Sequence, residues 1–224
     1  MNRQSQLVKV WDPLVRIFHW AVVIAFFTAY LTEDDFLTLH SWAGYVVLAA
    51  ITIRLVWGFI GPEHARFASF VRGPRNTLQY LRDVAAGTAR RTLGHNPAGA
   101  AMIVVLLVSL AITTISGVVV LGYEENAGPL AGYLAPTGSR PGLALPDYEG
   151  DEHDEDDDDR ERHAEQGGPE IGELWEEIHE VFANLTLLLI VVHITGVLYS
   201  SYLHRENLVR AMFTGKKPVD IKDD

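Results

Sequence analysis

Four long apolar runs constrain the fold of this 224-residue chain more than any other feature of its sequence. Each run has roughly 18–26 residues, which lets a helix cross the hydrocarbon core of a bilayer, about 30 Å thick. The runs predict membrane spans at residues 14–32, 38–60, 97–122 and 178–203. We therefore expect an all-α fold, an integral membrane four-helix bundle that forms a single domain over residues 1–224.

The distribution of basic residues predicts how the bundle is oriented. Residues 61–96 and the two tails carry most of the lysines and arginines. Because positive charge is retained on the cytoplasmic side, both termini and the 61–96 loop are expected in the cytoplasm of a bacterial inner membrane protein. Within that loop, "NTLQYLRDVAAG" has the pattern of a short amphipathic helix that lies on the membrane surface.

The opposite side of the membrane receives a strongly acidic segment. Residues Tyr123–Glu177 hold 18 Asp and Glu against 3 Arg, which leaves a formal charge of −15. Because like charges repel and few residues are apolar, residues 123–170 are expected to form a mobile periplasmic loop. Two alternatives are a docking surface for a basic redox partner and a metal site at His153, His163 and nearby carboxylates.

Composition excludes several other classes of protein. The chain has no cysteine, which rules out disulfides, thiolate metal sites and covalent attachment of c-type haem. It also lacks a glycine-rich phosphate loop and a basic stripe on a soluble domain, so no nucleic-acid partner is expected.

Four histidines in the apolar runs fall at two depths of the membrane. His179 and His193 are fourteen positions apart, so on a helix they share one face at a separation of about 21 Å along the axis. With the predicted orientation, His40 lies at the outer level with His179, and His19 at the inner level with His193. Two imidazoles from facing helices form an axial ligand pair for b-type haem iron, which predicts two haems. Any one of these histidines alone is better explained by hydrogen bonding to a neighbouring helix than by ligation. The alternative of a di-metal site would need carboxylates at both depths.

Other residues in the spans fit the same interpretation. Gly44 and Gly196 follow histidines on the same helix face and, with Gly117, would let a flat macrocycle approach the helix surface closely. The alternative is ordinary packing of small residues between helices. Arg54 and Arg16 are placed to pair with the propionates of the inner haem, unless they extend to the membrane interface instead.

Several motifs cover all four spans and both cytoplasmic ends. They are "VWDPLVRIFHW" at 10–20, "LHSWAGY" at 39–45, "RLVWG" at 54–58, "LGHNPAGA" at 93–100, "EIHEVFANL" and "VVHITGV" within 177–197, and "HRENLVRAMFTGKK" at 204–217. Together they resemble the bacterial four-helix di-haem cytochrome b family, which includes the cytochrome b561 type and the b-type subunits of nickel–iron hydrogenase and formate dehydrogenase. The resemblance implies that His19, His40, His179 and His193 are the axial ligands, and that quinone binds near the inner haem.

The expected function is therefore electron transfer between a periplasmic redox partner and the quinone pool. The acidic insertion is longer than the family pattern leads us to expect, so the partner is either a basic c-type cytochrome or a hydrogenase-like enzyme. One alternative is a stand-alone quinone reductase that oxidises a small reductant such as superoxide, which the acidic exterior disfavours. Another is a haem-free membrane anchor, which would leave the histidine pairs unexplained. No catalytic residue is assigned; His204 or Glu206 could supply protons to quinone, but both are equally ordinary interfacial residues.

Overall fold

The fold is known from a computed structural model, which describes residues 5–33, 35–62, 65–89, 94–134 and 157–220. Helices dominate these residues, and two short strands lie near the chain ends. The elements in chain order are β1 Ser5–Lys9, α1 Pro13–Leu31, α2 Leu37–Ile60, α3 Phe67–Phe70, α4 Pro74–Ala85, α5 Pro97–Tyr123, α6 Ala131–Leu134, α7 Asp157–Leu203, α8 Leu208–Thr214 and β2 Lys216–Asp220.

Four of the helices are long and apolar enough to cross a membrane, as the sequence predicts. They are α1, α2, α5 and the Ile171–Leu203 portion of α7. The all-α fold class is therefore confirmed. Side chains cap the first and third spans at their starts. The Asp12 carboxylate accepts a hydrogen bond from the Leu14 N–H at 2.8 Å, and the Asn96 side chain accepts one from the Gly99 N–H at 2.6 Å.

The fourth helix differs from the expectation in length. Helix α7 begins at Asp157, well before the predicted start of its span, so part of the segment expected as a loop at 123–170 is helical. The α6 turn lies in the same segment. His153 and the side chain of His163, the residues of the alternative metal site, lie outside the described part of the structure.

The chain divides into two compact units, and Met1–Ala111 together with Asn184–Asp224 forms the first. Its core contains Phe26 of α1, Val47 and Ile51 of α2, and Leu110 of α5, with Leu187 of α7 packed against them. All four spanning helices thus contribute to one apolar centre.

Polar contacts join helices inside this first unit as well. The hydroxyls of Ser109 and Thr186 are 2.7 Å apart in a buried site, and the Tyr30 hydroxyl donates to the Asn184 side chain at 2.9 Å. Such bonds satisfy polar groups where lipid offers no partner.

Ile112–Ala183 forms the second unit. It contains the C-terminal half of α5, helix α6 and the first part of α7. Helix α6 packs on α5 at Gly122, where an added Cβ atom would lie 3.1 Å from the Leu134 side chain and 3.2 Å from that of Leu130.

The two strands form an antiparallel ribbon that the sequence did not lead us to expect. Ser5 pairs with Asp220 and Lys9 with Lys216. The Gly215 carbonyl closes the ribbon by accepting hydrogen bonds from the Val10 and Trp11 N–H groups, at 2.9 and 3.1 Å. The ribbon therefore brings the N-terminal and C-terminal strands together.

Candidate functional site: two pairs of histidines

His40 lies in the first turn of α2, and its ring is oriented by α1. The Nδ1 atom lies 2.9 Å from the backbone carbonyl oxygen of Ala29. A carbonyl oxygen only accepts hydrogen bonds, so Nδ1 carries the proton in the neutral ring. The lone pair is then on Nε2, which is the nitrogen that a metal ligand needs.

His179 has the same arrangement in the second unit. Its Nδ1 atom lies 2.8 Å from the carbonyl oxygen of Thr113 on α5, which again places the proton on Nδ1 and the lone pair on Nε2. The ring lies directly against Gly117, where an added Cβ atom would be 2.8 Å from the imidazole Cε1. Helix α5 supplies no histidine of its own but determines where the ring of His179 lies.

His19 of α1 and His193 of α7 both belong to the first unit. The two rings are near enough for a charge on one to act on the other. The Nδ1 atom of His19 is buried and has no hydrogen-bond partner among the described residues. The ring of Trp20 contacts that of His19 edge-on, with centroids 5.1 Å apart.

Arg54 is a buried cation within the second span. It is 8% exposed, and its Nη1 atom has no hydrogen-bond partner among the described residues. The Phe67 ring covers one face of the guanidinium, with the Arg54 Cζ atom 4.7 Å from the ring centroid. Phe67 reaches this position because it packs on Gly58, where a Cβ atom would overlap the ring. A buried guanidinium with an unused donor fits an acidic group such as a haem propionate.

Arg16 is held by a different part of the chain. Its Nη1 atom donates to the backbone carbonyl of Phe213 on α8, and the stacked rings of Trp20 and Phe213 reinforce the contact. Its Nε atom is buried without a partner among the described residues. Arg16 thus attaches α8 to α1. Its pairing with the propionates of the inner haem stays a prediction.

The glycines of the predicted site have two different environments. A Cβ atom at Gly44 or Gly196 would meet no atom within 4 Å, so both border open space on their helices. Gly117, which the sequence suggested as a point of approach for the macrocycle, instead provides space for the imidazole of His179.

Residues 10–215 match the family model of the prokaryotic cytochrome b561. The chain belongs to the prokaryotic cytochrome b561 family. A relative described as a probable Ni/Fe-hydrogenase B-type cytochrome subunit, from Azotobacter vinelandii, is 24% identical over 168 residues, which cover 60% of this chain and 69% of the relative. No solved structure matches the chain.

Membership of the cytochrome b561 family confirms the coarse identification. The protein is a multi-pass inner membrane cytochrome of b type that serves electron transfer, and its cofactor is haem b. The residues present fit that cofactor: the tautomers of His40 and His179 put a lone pair on Nε2, and buried Arg54 has a donor for an acidic group.

Sequence reasoning missed the groups that orient these side chains. The carbonyls of Ala29 and Thr113 leave no signal in a sequence, because every residue has a carbonyl. The contact of Phe67 with Gly58 and Arg54 has a weak signal, in that Gly58 follows Arg54 by one helical turn and shares its face.

Proposed function

We propose that the chain binds two b haems and transfers electrons through them between a periplasmic redox protein and the quinone pool. His40 and His179 would hold the outer haem, and His19 and His193 the inner one. The observation that carries this proposal is that His40 and His179 each have Nδ1 against a backbone carbonyl, at 2.9 and 2.8 Å. Two unrelated helices thus present the tautomer of histidine that iron requires.

The inner pair is supported by different observations. His19 and His193 come from separate helices of one unit and are close enough to interact. An imidazole pair in an apolar interior has few uses that do not involve a ligand, since ionisable groups in a bilayer are costly. Arg54, buried with an unused donor, would neutralise a propionate of this haem.

The protein's own contribution is ligation, orientation and exclusion of water. Bound haem b supplies reversible transfer of one electron at iron. The four imidazoles would hold haem iron at two depths, and the carbonyls of Ala29 and Thr113 would keep the rings of His40 and His179 from rotating. The apolar core around Phe26 and Ile51 keeps water out of the first unit.

The partner is proposed from two sources. The Azotobacter relative is described as a subunit of a Ni/Fe-hydrogenase, which supports a redox enzyme as the partner. The acidic charge of residues 123–177 favours a partner with a basic face, such as a c-type cytochrome. Residues 135–156 of that segment lie outside the described part of the structure, so the charge of the segment alone carries the argument.

Quinone is proposed near the inner haem, on the cytoplasmic side. The test uses purified protein in liposomes that contain decyl-ubiquinol, with the haem α-band recorded as electrons enter. The wild type and a His40→Ala variant should both be reduced by the quinol, because the inner haem remains. A His193→Ala variant should be reduced far more slowly. If His193→Ala is reduced normally and His40→Ala is not, quinone binds at the outer side and the proposal is wrong.

A further inference from the structure

An open cavity of about 870 Å³ lies where the last span ends and helix α8 begins. Its lining combines two kinds of side chain. Leu198, Tyr202 and Phe213 form an apolar and aromatic wall, whereas Arg205, Asn207 and Arg210 supply polar groups. The cavity lies entirely within the first unit and is separate from the four histidines, none of which lines it.

The two arginines leave a positive charge in this cavity. Both are exposed, and within the described residues neither forms an ion pair with a carboxylate. Glu206 also lines the cavity, but its carboxylate lies 3.3 Å from the ammonium of Lys217, and both of these side chains are almost fully buried. Glu206 pairs with Lys217, and a lining with two arginines and one glutamate keeps a net positive charge that attracts an anion.

The backbone at Arg205 determines where its side chain leaves the chain. Arg205 has a φ of 51°, in the left-handed region that normally favours glycine. It forms the sharp turn between α7 and α8, where its N–H donates to the Tyr202 carbonyl at 3.3 Å. The Glu206 N–H also donates to the Ser201 carbonyl at 3.0 Å, so this turn ends α7 as a Schellman cap and fixes Arg205 at the edge of the cavity.

The apolar wall is exposed and lies at the end of the last apolar span. Tyr202 is 84% exposed, Phe213 59% and Leu198 56%, and they cluster at the end of the apolar span. Tyrosine at such a position is typical of the membrane–water interface, where its ring meets acyl chains and its hydroxyl meets headgroups. Cationic pockets at the ends of spanning helices bind the headgroups of anionic lipids.

From these observations we propose that the cavity binds one anionic phospholipid. Its phosphate lies between Arg205 and Arg210, and its acyl chains follow Leu198, Tyr202 and Phe213. Free phosphate would use the arginines alone and leave the apolar wall bare, so the lipid uses more of the cavity. The site would hold α8, which also contacts Arg16 of the first span, against the membrane surface.

The experiment counts lipids that stay bound to the full-length, haem-loaded protein in native mass spectrometry. The detergent-purified protein is titrated with phosphatidylglycerol, with phosphatidylcholine of the same chains, or with inorganic phosphate. We expect one tightly bound phosphatidylglycerol and no comparable site for phosphatidylcholine. An Arg205→Gln/Arg210→Gln variant should lose roughly tenfold or more in apparent affinity for phosphatidylglycerol, and the Lys/Lys variant at the same positions should recover most of it.

The matched control is an Arg75→Gln/Arg82→Gln variant, which removes two exposed arginines from α4. It should bind phosphatidylglycerol like the wild type. An equal loss in this control would show general surface attraction and overturn the proposal. So would equal retention of phosphatidylcholine, saturation by inorganic phosphate alone, or complete displacement of the lipid by decyl-ubiquinone. The helical circular dichroism signal and the haem α-band show whether each variant is folded. If the Gln/Gln variant does not fold, the Lys/Lys variant tests the site: normal binding of phosphatidylglycerol supports the proposal, and loss of binding overturns it.

Discussion

The Nδ1 atom of His179 lies 2.8 Å from the carbonyl oxygen of Thr113, so a helix without histidines orients the ring of a histidine on another helix. The same chemistry recurs between His40 and the Ala29 carbonyl. In both cases a backbone carbonyl selects the tautomer of the imidazole. A side-chain substitution cannot remove a backbone carbonyl, so a test must displace the imidazole ring instead.

Gly117→Ala is the substitution that displaces the ring. The new methyl group would lie 2.8 Å from the Cε1 atom of His179, too close for the imidazole to stay in place. Because groups that orient a metal ligand affect affinity by about 10–100-fold, we expect the outer haem to be lost preferentially while the inner haem stays. Haem content measured by pyridine haemochrome should fall from two toward one per chain.

The matched control for that variant is Gly132→Ala, which adds the same methyl group where nothing lies within 4 Å. It should keep the full haem content. If Gly117→Ala retains both haems with unchanged spectra, the contact does not determine the position of a ligand, and the assignment of His179 weakens with it.

Arg54→Gln should lower the midpoint potential of one haem. A buried positive charge stabilises the reduced cofactor, and removing an interaction on the order of 1 kcal/mol shifts a one-electron couple by about 40 mV. Gly58→Ala should produce a shift in the same direction, because the added methyl group displaces Phe67 from the face of Arg54. Redox titration of the α-band measures both.

Exposed Arg72 offers a control of equal charge in the following loop. Arg72→Gln should leave both potentials within a few millivolts of the wild type, because exposed charges are screened by water and salt. Equal shifts in the Arg54 and Arg72 variants would argue against a specific contact between Arg54 and a haem.

Both termini are predicted to face the cytoplasm. The ribbon of β1 and β2 brings the two tails to the same side, and six arginines in Gly61–Pro97 favour the cytoplasm for that side. A fluorescent reporter that matures only in the cytoplasm should be active when fused after Asp224. Activity of a phosphatase that works only in the periplasm, fused at the same position, would reverse the assigned orientation.

The acidic segment is predicted to speed the encounter with a basic partner. Deleting Asp151–Glu165 removes much of the negative charge, so the association rate with a basic c-type cytochrome should fall, and its dependence on salt should flatten. Stopped-flow measurements of electron transfer across a range of ionic strength provide both quantities. An unchanged rate and salt response, with both haems still bound, would make the segment a solvated spacer.

Sequence patterns predicted the spans because hydrophobic length is a property of the chain itself. The structure adds hydrogen-bonded caps at Asp12 and Asn96, where two of these spans begin. The fourth helix was predicted to begin too late, since a run of acidic residues gives no apolar signal even when it continues a helix. The ribbon was missed because two five-residue strands far apart in sequence have almost no local signature.

The sequence also predicted only part of the candidate site. Positions within the apolar runs, together with the predicted orientation, led to four histidine candidates: His19, His40, His179 and His193. The partners that orient these side chains depend on how helices meet, and helix packing is a tertiary property. Gly117 illustrates this, because its sequence position suggested an approach to the macrocycle while its neighbour in the structure is His179.

Haem stoichiometry tests the central claim most directly. The pyridine haemochrome assay on purified protein, combined with protein quantification, should give two haem b per chain. Each single His→Ala variant should retain one haem per chain. The His40 and His179 variants should share one residual haem spectrum, and the His19 and His193 variants should share the other. Wild-type protein with one haem or none, or a His40 variant that loses the same haem as a His193 variant, would contradict the account.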